Sequence, residues 1–153
     1  MNAKVCWGIL LTASLLGSAL LASTDDESDW KPLQKLAKTG DATAQYNLGT
    51  MYRNKQEWDK AVSWFRLAAQ QGQSMALYEL GVLAARGQGV PQDAIAAFVY
   101  LTLSGERGYP AALKIRDRLE KAMSPEAIRR ARELAKSWKP GREMPLDQIQ
   151  KRR

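Results

Sequence analysis

The sequence contains two copies of one pattern, set about 32 residues apart. Each copy begins with an apolar stripe at the spacing i, i+4, i+7 and i+8, which is one face of an α-helix. A second stripe follows, so each copy predicts a helix A and then a helix B. These stripes are Ala44, Leu48, Met51, Tyr52 and then Trp58, Ala61, Val62, Phe65, Ala68, Ala69 in the first copy, and Ala76, Leu80, Leu83, Ala84 and then Ala94, Ala97, Phe98, Leu101 in the second. Helix pairs at this period predict an all-α fold, a right-handed α-solenoid.

Glycines mark where the helices end and where they pack. Gly72 and Gly108 follow the helix B stripes, at the place where a left-handed residue commonly ends a helix. Gly49 and Gly81 lie beside the core leucines of helix A. A glycine inside a helix costs about 1 kcal/mol, so we expect both to allow a close approach of helix B. Pro91 is expected at the first position of the second helix B.

The flanking segments predict caps for this solenoid. Residues 29–39 carry a single apolar stripe and are expected to form an isolated helix B. In residues 108–138, Arg116 and Asp117 replace the Leu-Gly pair of helix A, as a terminal unit that no further repeat covers would allow. We therefore expect about seven helices over residues 29–138, divided into a cap at 29–39, repeats at 40–71 and 72–107, and a terminal unit at 108–138.

The first copy closely resembles a known helical repeat. It reads GDATAQYNLGTMY over residues 40–52 and KAVSWFRLAAQQG over residues 60–72, which is similar to the Sel1-like repeat, a relative of the tetratricopeptide repeat. The second copy is similar through its loop GQGVPQD at residues 87–93, although Ala84 stands where the family prefers tyrosine. The resemblance covers about residues 29–138 and implies an adaptor or scaffold that binds other proteins.

The resemblance also implies a binding surface, because helix A lines the concave face of tetratricopeptide-like solenoids. Tyrosines there would offer apolar contact, and a row of cations would bind carboxylates or other anions. In the alternative interpretation, the tyrosines belong partly to the core and the cations keep a capping helix soluble. The positions carried over are Tyr46, Thr50, Arg53, Tyr78, Val82, Arg86, Lys114, Arg118 and Lys121.

The N-terminal residues predict export. Lys4 gives a positive start, an apolar run follows over residues 5–22, and small residues at Ala22 and Ser23 offer a cleavage point. We expect a signal peptide at residues 1–22, an acidic disordered leader at 23–28, and a periplasmic or secreted protein. The alternative is an uncleaved anchor in the inner membrane, since the run is nearly long enough to span a bilayer. Membrane association is expected if the signal is not cleaved.

The residue types exclude the commonest catalytic and metal sites. The chain has no histidine, and its one cysteine, Cys6, lies inside the expected signal peptide. A Ser-His-Asp triad, a Cys–His pair and a zinc site built from histidine or cysteine are therefore ruled out. The glycine-rich loop at residues 87–89 follows a predicted helix, whereas a phosphate-binding loop follows a strand. We expect a protein with no catalytic activity, cofactor or metal.

Positive charge is concentrated at the C-terminal end. Residues 23–105 carry eight Lys/Arg and nine Asp/Glu, whereas residues 106–153 carry 14 and seven. This asymmetry is typical of a surface for an anionic partner, and residues 139–153 are expected to form a basic disordered tail. The leading hypothesis is a protein or peptide partner. The alternative is a basic surface that binds anionic lipid or cell-wall polymer through the last third, and export argues against nucleic acid.

Overall fold

The structure is a computed structural model that describes residues 27–142. The expected signal peptide and residues 143–153 of the expected tail lie outside the described residues. The chain divides into two units, Met1–Pro32 and Leu33–Arg153. In the first unit, the described part is a 3₁₀ turn at Glu27–Trp30 and the first residues of one helix. The solenoid lies in the second unit.

The described residues form seven α-helices and no strand, which confirms the expected all-α solenoid and its helix count. The first helix is the isolated cap, and the others follow as three pairs of a helix A and a helix B. Their bounds are α1 (Lys31–Lys38), α2 (Ala42–Asn54), α3 (Trp58–Gln70), α4 (Ser74–Arg86), α5 (Ala94–Glu106), α6 (Ala111–Glu120) and α7 (Pro125–Ser137).

The helix ends have the local chemistry that their residues favour. Gly72 and Gly108 follow α3 and α5 with φ of 84° and 93°, so both are left-handed residues, as predicted. Asp41 begins α2 by accepting a hydrogen bond from the Ala44 backbone N–H at 2.6 Å. In the terminal unit, Ser124 caps α7 in the same way.

The prediction for Pro91 was wrong. Helix α5 begins at Ala94, and Asp93 is its N-cap, with a carboxylate that accepts from the Ala96 N–H at 2.9 Å. Pro91 therefore lies two residues before the cap, in the loop. Asp93 determines the start of the helix because its backbone is extended and its side chain satisfies a helix N–H, which proline does not do.

Each repeat is closed by a tight crossing of helix A and helix B. Leu48 and Leu80 are buried, and helix pairs α2–α3 and α4–α5 pack extensively. A Cβ atom on Gly49 would lie 2.7 Å from the Phe65 ring, and one on Gly81 would lie 2.8 Å from Leu101 Cγ. These distances are too short for a side chain, so the predicted packing role of the two glycines is confirmed.

Helix α5 is central to the packing of the second repeat and the terminal unit, because three helices pack on it. Helices α4, α6 and α7 all contact α5, and every residue from 96 to 101 is buried. A helix that is apolar on all sides belongs in such a place. Its outer face lies under α7, whose buried residues are Ala131 and Ala135. Helix α3 packs on α2 and α4. Its residues Ser63 and Leu67 are exposed, whereas the equivalent residues of α5, Val99 and Leu103, are buried.

The terminal unit departs from the repeat arrangement. Within the described residues, α7 packs on α5 and does not form with α6 the tight pair that α2–α3 and α4–α5 form. Arg116 and Asp117 occupy the places of Leu48 and Gly49, and they bind each other in an ion pair. The long Arg116 side chain and the charged Asp117 side chain, which stands where the repeat has no side chain at all, prevent the close crossing that leucine and glycine allow. Helix α7 therefore takes the outer face of α5.

The chain after α7 turns back toward the first repeat. Trp138 is buried, and the Arg107 guanidinium lies 4.8 Å from the centre of its ring. The Gly141 N–H donates to the Gln70 carbonyl at 2.7 Å, at the C-terminal end of α3. Residues 139–142, which were expected to begin the tail, thus hold a defined contact with the repeat.

The crossing at Gly49 gives a stability prediction. Replacing an exposed helix glycine with alanine normally stabilises, but Gly49→Ala should lower the free energy of unfolding by about 1–3 kcal/mol, because the new methyl overlaps the Phe65 ring. Urea denaturation measures the change. The exposed Ser63→Ala variant on α3 serves as control and should stay within about 0.5 kcal/mol. Equal or higher stability of Gly49→Ala would contradict the packing role.

Candidate interaction surface

The nine residues carried over from the resemblance lie along α2, α4 and α6 and the residue that ends α6. We call this set the helix A surface. The structure places its members in two groups. The residues from the two repeats are half-buried, except for Arg86, which is exposed together with the three cations of the terminal unit. The half-buried group is Tyr46, Thr50, Arg53, Tyr78 and Val82, and the exposed group is Arg86, Lys114, Arg118 and Lys121.

The two tyrosines combine packing with exposure. The Tyr46 ring lies 5.8 Å from the Phe65 ring of α3, and the Tyr78 ring meets the Tyr109 ring edge-on at 5.0 Å. Both tyrosines keep part of their surface in solvent. Thr50 is turned to its own helix, since its hydroxyl donates to the Tyr46 carbonyl at 3.1 Å. The tyrosines are thus held in fixed positions by aromatic neighbours while they remain accessible.

Arg53 is bound to a carboxylate that the sequence analysis did not single out. Its guanidinium forms an ion pair and a hydrogen bond with Glu79, which is buried on α4. The pair joins helix A of the first repeat to helix A of the second. Two thirds of the Arg53 side chain is buried, and its charge is balanced. In this position Arg53 connects the two repeats, so less of its side chain is accessible to a partner protein.

A second polar contact joins the cap helix α1, helix α2 and the residue that follows α3. Gln45 is buried on α2 and donates its side-chain amide to the Ala37 carbonyl at 3.1 Å. The Gln71 amide, which follows α3, donates to the Gln45 side-chain oxygen at 2.8 Å. Buried polar groups with satisfied hydrogen bonds specify one arrangement of their neighbours. This contact fixes the position of the first repeat relative to the cap, and the Arg53–Glu79 pair fixes its position relative to the second repeat.

Three of the four exposed cations form a row on the terminal unit. Lys114, Arg118 and Lys121 follow the spacing i, i+4 and i+7 along α6, and Arg86 ends α4. Within residues 27–142, none of these four cations takes part in an ion pair. Their charges are therefore available to solvent and to an anionic group.

The described residues hold no metal cluster and no membrane span. Nowhere in this range do three or more Asp, Glu, Cys or His side chains stand close enough together to hold a metal ion. None of the described helices combines the length and the apolar character needed to cross a bilayer.

The Arg53–Glu79 pair gives a second stability prediction. Arg53→Ala should lower the free energy of unfolding by about 1–2 kcal/mol, because Glu79 stays buried without its partner, although partial exposure screens the pair. The exposed Arg86→Ala variant is the matched control and should change stability by less than about 0.5 kcal/mol. Thermal denaturation compares the two, and equal stability of both variants would contradict a role in joining the repeats.

Comparison with known proteins identifies the repeat. A family model described as the Sel1 repeat matches residues 42–73 and 74–109, which contain α2–α3 and α4–α5. A search of the curated proteins finds no match. Among solved structures, the chain is similar in fold to c5321, described as a protective antigen present in uropathogenic Escherichia coli strains and displaying an SLR fold. The TM-score is 0.70 and the identity 23%.

That match covers 90% of this chain and 31% of c5321, so the chain spans about a third of the length of that structure. Sel1 repeats generally act as protein–protein interaction modules. The family model and the shared fold therefore show that residues 42–109 of this chain are two Sel1 repeats within an α-solenoid.

Proposed function

We propose that this protein is a non-catalytic adaptor or scaffold outside the cytoplasm, periplasmic or secreted, that binds a protein or peptide on the helix A surface. The family supports the general class, since Sel1 repeats are interaction modules. The absence of histidine from the sequence, and of any cysteine beyond Cys6, supports a role without catalysis. The apolar run at residues 5–22 behind Lys4 supports export.

The observation that carries this proposal is the pairing of Tyr46 and Tyr78 at equivalent positions of successive repeats. Each ring is fixed by an aromatic neighbour and remains partly exposed. Rigid, partly exposed aromatic residues are frequent anchors of protein interfaces, because they bury a large area and lose little side-chain entropy. The cations Lys114, Arg118 and Lys121, which have no ion-pair partner among residues 27–142, continue the surface on α6 and suit a partner with acidic groups.

Affinity capture from cell envelopes tests this function. The triple variant Lys114→Glu, Arg118→Glu, Lys121→Glu should recover at least about tenfold less partner than the wild type after crosslinking, since reversed charges repel an acidic group. Mass spectrometry identifies and quantifies the partner. The exposed pair Arg129→Glu, Arg130→Glu on α7 serves as control and should retain capture.

Two outcomes of the capture experiment would contradict the helix A surface. Unchanged capture by the α6 variant would exclude a contribution of these cations. An equal loss in the α6 and α7 variants would show that total charge matters and that the position of the cations does not. Variants at Arg53 are less suitable for this test, because they also disturb Glu79.

Export is tested by locating the protein and sequencing its N-terminus. We expect the protein in the periplasm or the medium, with an N-terminus close to Ser23, because a processed signal ends at small residues. A protein that keeps residues 1–22 and sediments with the inner membrane would support the anchored alternative. A protein recovered intact from the cytoplasm would contradict export.

A second candidate function rests on charge alone. Residues 108–142 carry ten Lys/Arg and four Asp/Glu, so the terminal unit has a strong positive excess. This excess favours a basic surface that binds anionic lipid or cell-wall polymer. Polyanion binding falls steeply and log-linearly with salt, whereas binding anchored by tyrosines falls less. Sedimentation with anionic vesicles at rising salt therefore separates the two candidates.

A further inference from the structure

The departure of the terminal unit from the repeat arrangement leaves a cleft. Because α7 packs on α5 and not on α6, a space of about 190 Å³ remains between the three helices. The Arg132–Glu120 ion pair, at 2.6 Å, spans it from α7 to α6. In the two repeats the corresponding space is filled by the tight crossing of helix A with helix B.

The cleft has an apolar floor and a charged rim. Phe98 of α5 and Ala135 of α7 are buried and provide the floor. The Arg116 guanidinium lies 5.9 Å from the centre of the Phe98 ring. Lys136 and Arg132 belong to the rim on α7. A site of this kind suits a ligand that carries an apolar body and a charged or polar head.

The charges of the rim favour an anionic head. The lining contains three cations and two carboxylates, and one carboxylate, Glu120, is bound by Arg132. Arg116 binds Asp117 through Nε and Nη2, and Nη1 has no hydrogen bond among the described residues. Lys136 has no ion-pair partner within residues 27–142. The other carboxylate, Glu106, is exposed and opposes an anion.

We propose that this cleft binds the C-terminal residue of a partner chain, with an apolar last side chain on Phe98 and Ala135 and the terminal carboxylate between Lys136 and Arg116. The volume fits one large apolar side chain, and the positive excess of residues 108–142 attracts the carboxylate. The site is separate from the helix A surface and needs none of its residues.

The probe is an acetylated tripeptide, Gly-Gly-Phe with a free carboxylate, and its C-terminal amide is the matched control ligand. Binding to the full-length protein is followed by amide chemical shifts in NMR titrations. The acid should shift signals of α5, α6 and α7 around the cleft, and it should bind at least about tenfold more tightly than the amide. Equal binding of the two peptides, or shifts elsewhere on the protein, would overturn the proposal.

Three exposed side chains provide variants that should leave the fold intact. Lys136→Gln should weaken the acid about tenfold, since the carboxylate loses its ammonium partner. Glu106→Gln should tighten binding by about threefold, because a like charge is removed. Arg129→Gln, on α7 but outside the cleft, should change affinity by less than about twofold.

The sign of the Glu106→Gln effect tests whether the peptide carboxylate binds beside Glu106. The acetylated probe carries no positive group, so weaker binding in this variant would mean that Glu106 does not repel the bound carboxylate, and the proposal would be wrong. An unchanged affinity of Lys136→Gln would overturn it as well. The tripeptide is too short to cover Tyr46 and Tyr78, so failure of this test leaves the proposed function of the helix A surface standing.

Discussion

The fold depends on how closely a helix B can approach its helix A. Where the sequence provides a leucine followed by a glycine, as at Leu48 and Gly49, the large side chains of the next helix fit directly against the helix backbone. Where it provides Arg116 and Asp117, the approach is blocked and α7 packs on α5 instead. The residue types at this pair of positions therefore decide whether two helices pack as a repeat or as the terminal unit. The buried outer face of α5 and the cleft beside Phe98 both follow from it.

Much of this fold could be predicted from the sequence, because it is encoded by local patterns. Helical periodicity gave the seven helices, and the two glycines beside Leu48 and Leu80 indicated the close crossings. The predicted start of α5 at Pro91 was wrong, because Asp93 caps the helix more effectively than a proline can begin it. The packing of α7 was not predicted. Its signal was present in the sequence, since residues 96–101 are apolar or small on every side, which indicates a helix covered on all faces.

The candidate site was predictable in position but not in its internal contacts. Repeat alignment located the residues of the helix A surface on α2, α4 and α6. Alignment within a repeat does not reveal which side chains meet between repeats, because that depends on the rotation from one repeat to the next. The Arg53–Glu79 pair is such a contact, as is the contact between Tyr78 and Tyr109. Glu79 itself gave a weak signal, as an acidic residue between apolar neighbours on helix A.

The hydrogen bond from Gly141 to Gln70 has a consequence for how this solenoid unfolds. In a simple linear array each unit touches only its neighbours, so the stability is a sum of local terms and the ends fray independently. Here Gly141 donates to the end of α3, and Trp138 lies against Arg107, the residue that follows α5. The segment after α7 therefore couples the terminal unit to the first repeat, and these two are not adjacent in sequence. Melting of the first repeat removes a support of the segment that follows the last helix, and this favours unfolding of the array in fewer steps than independent fraying would give.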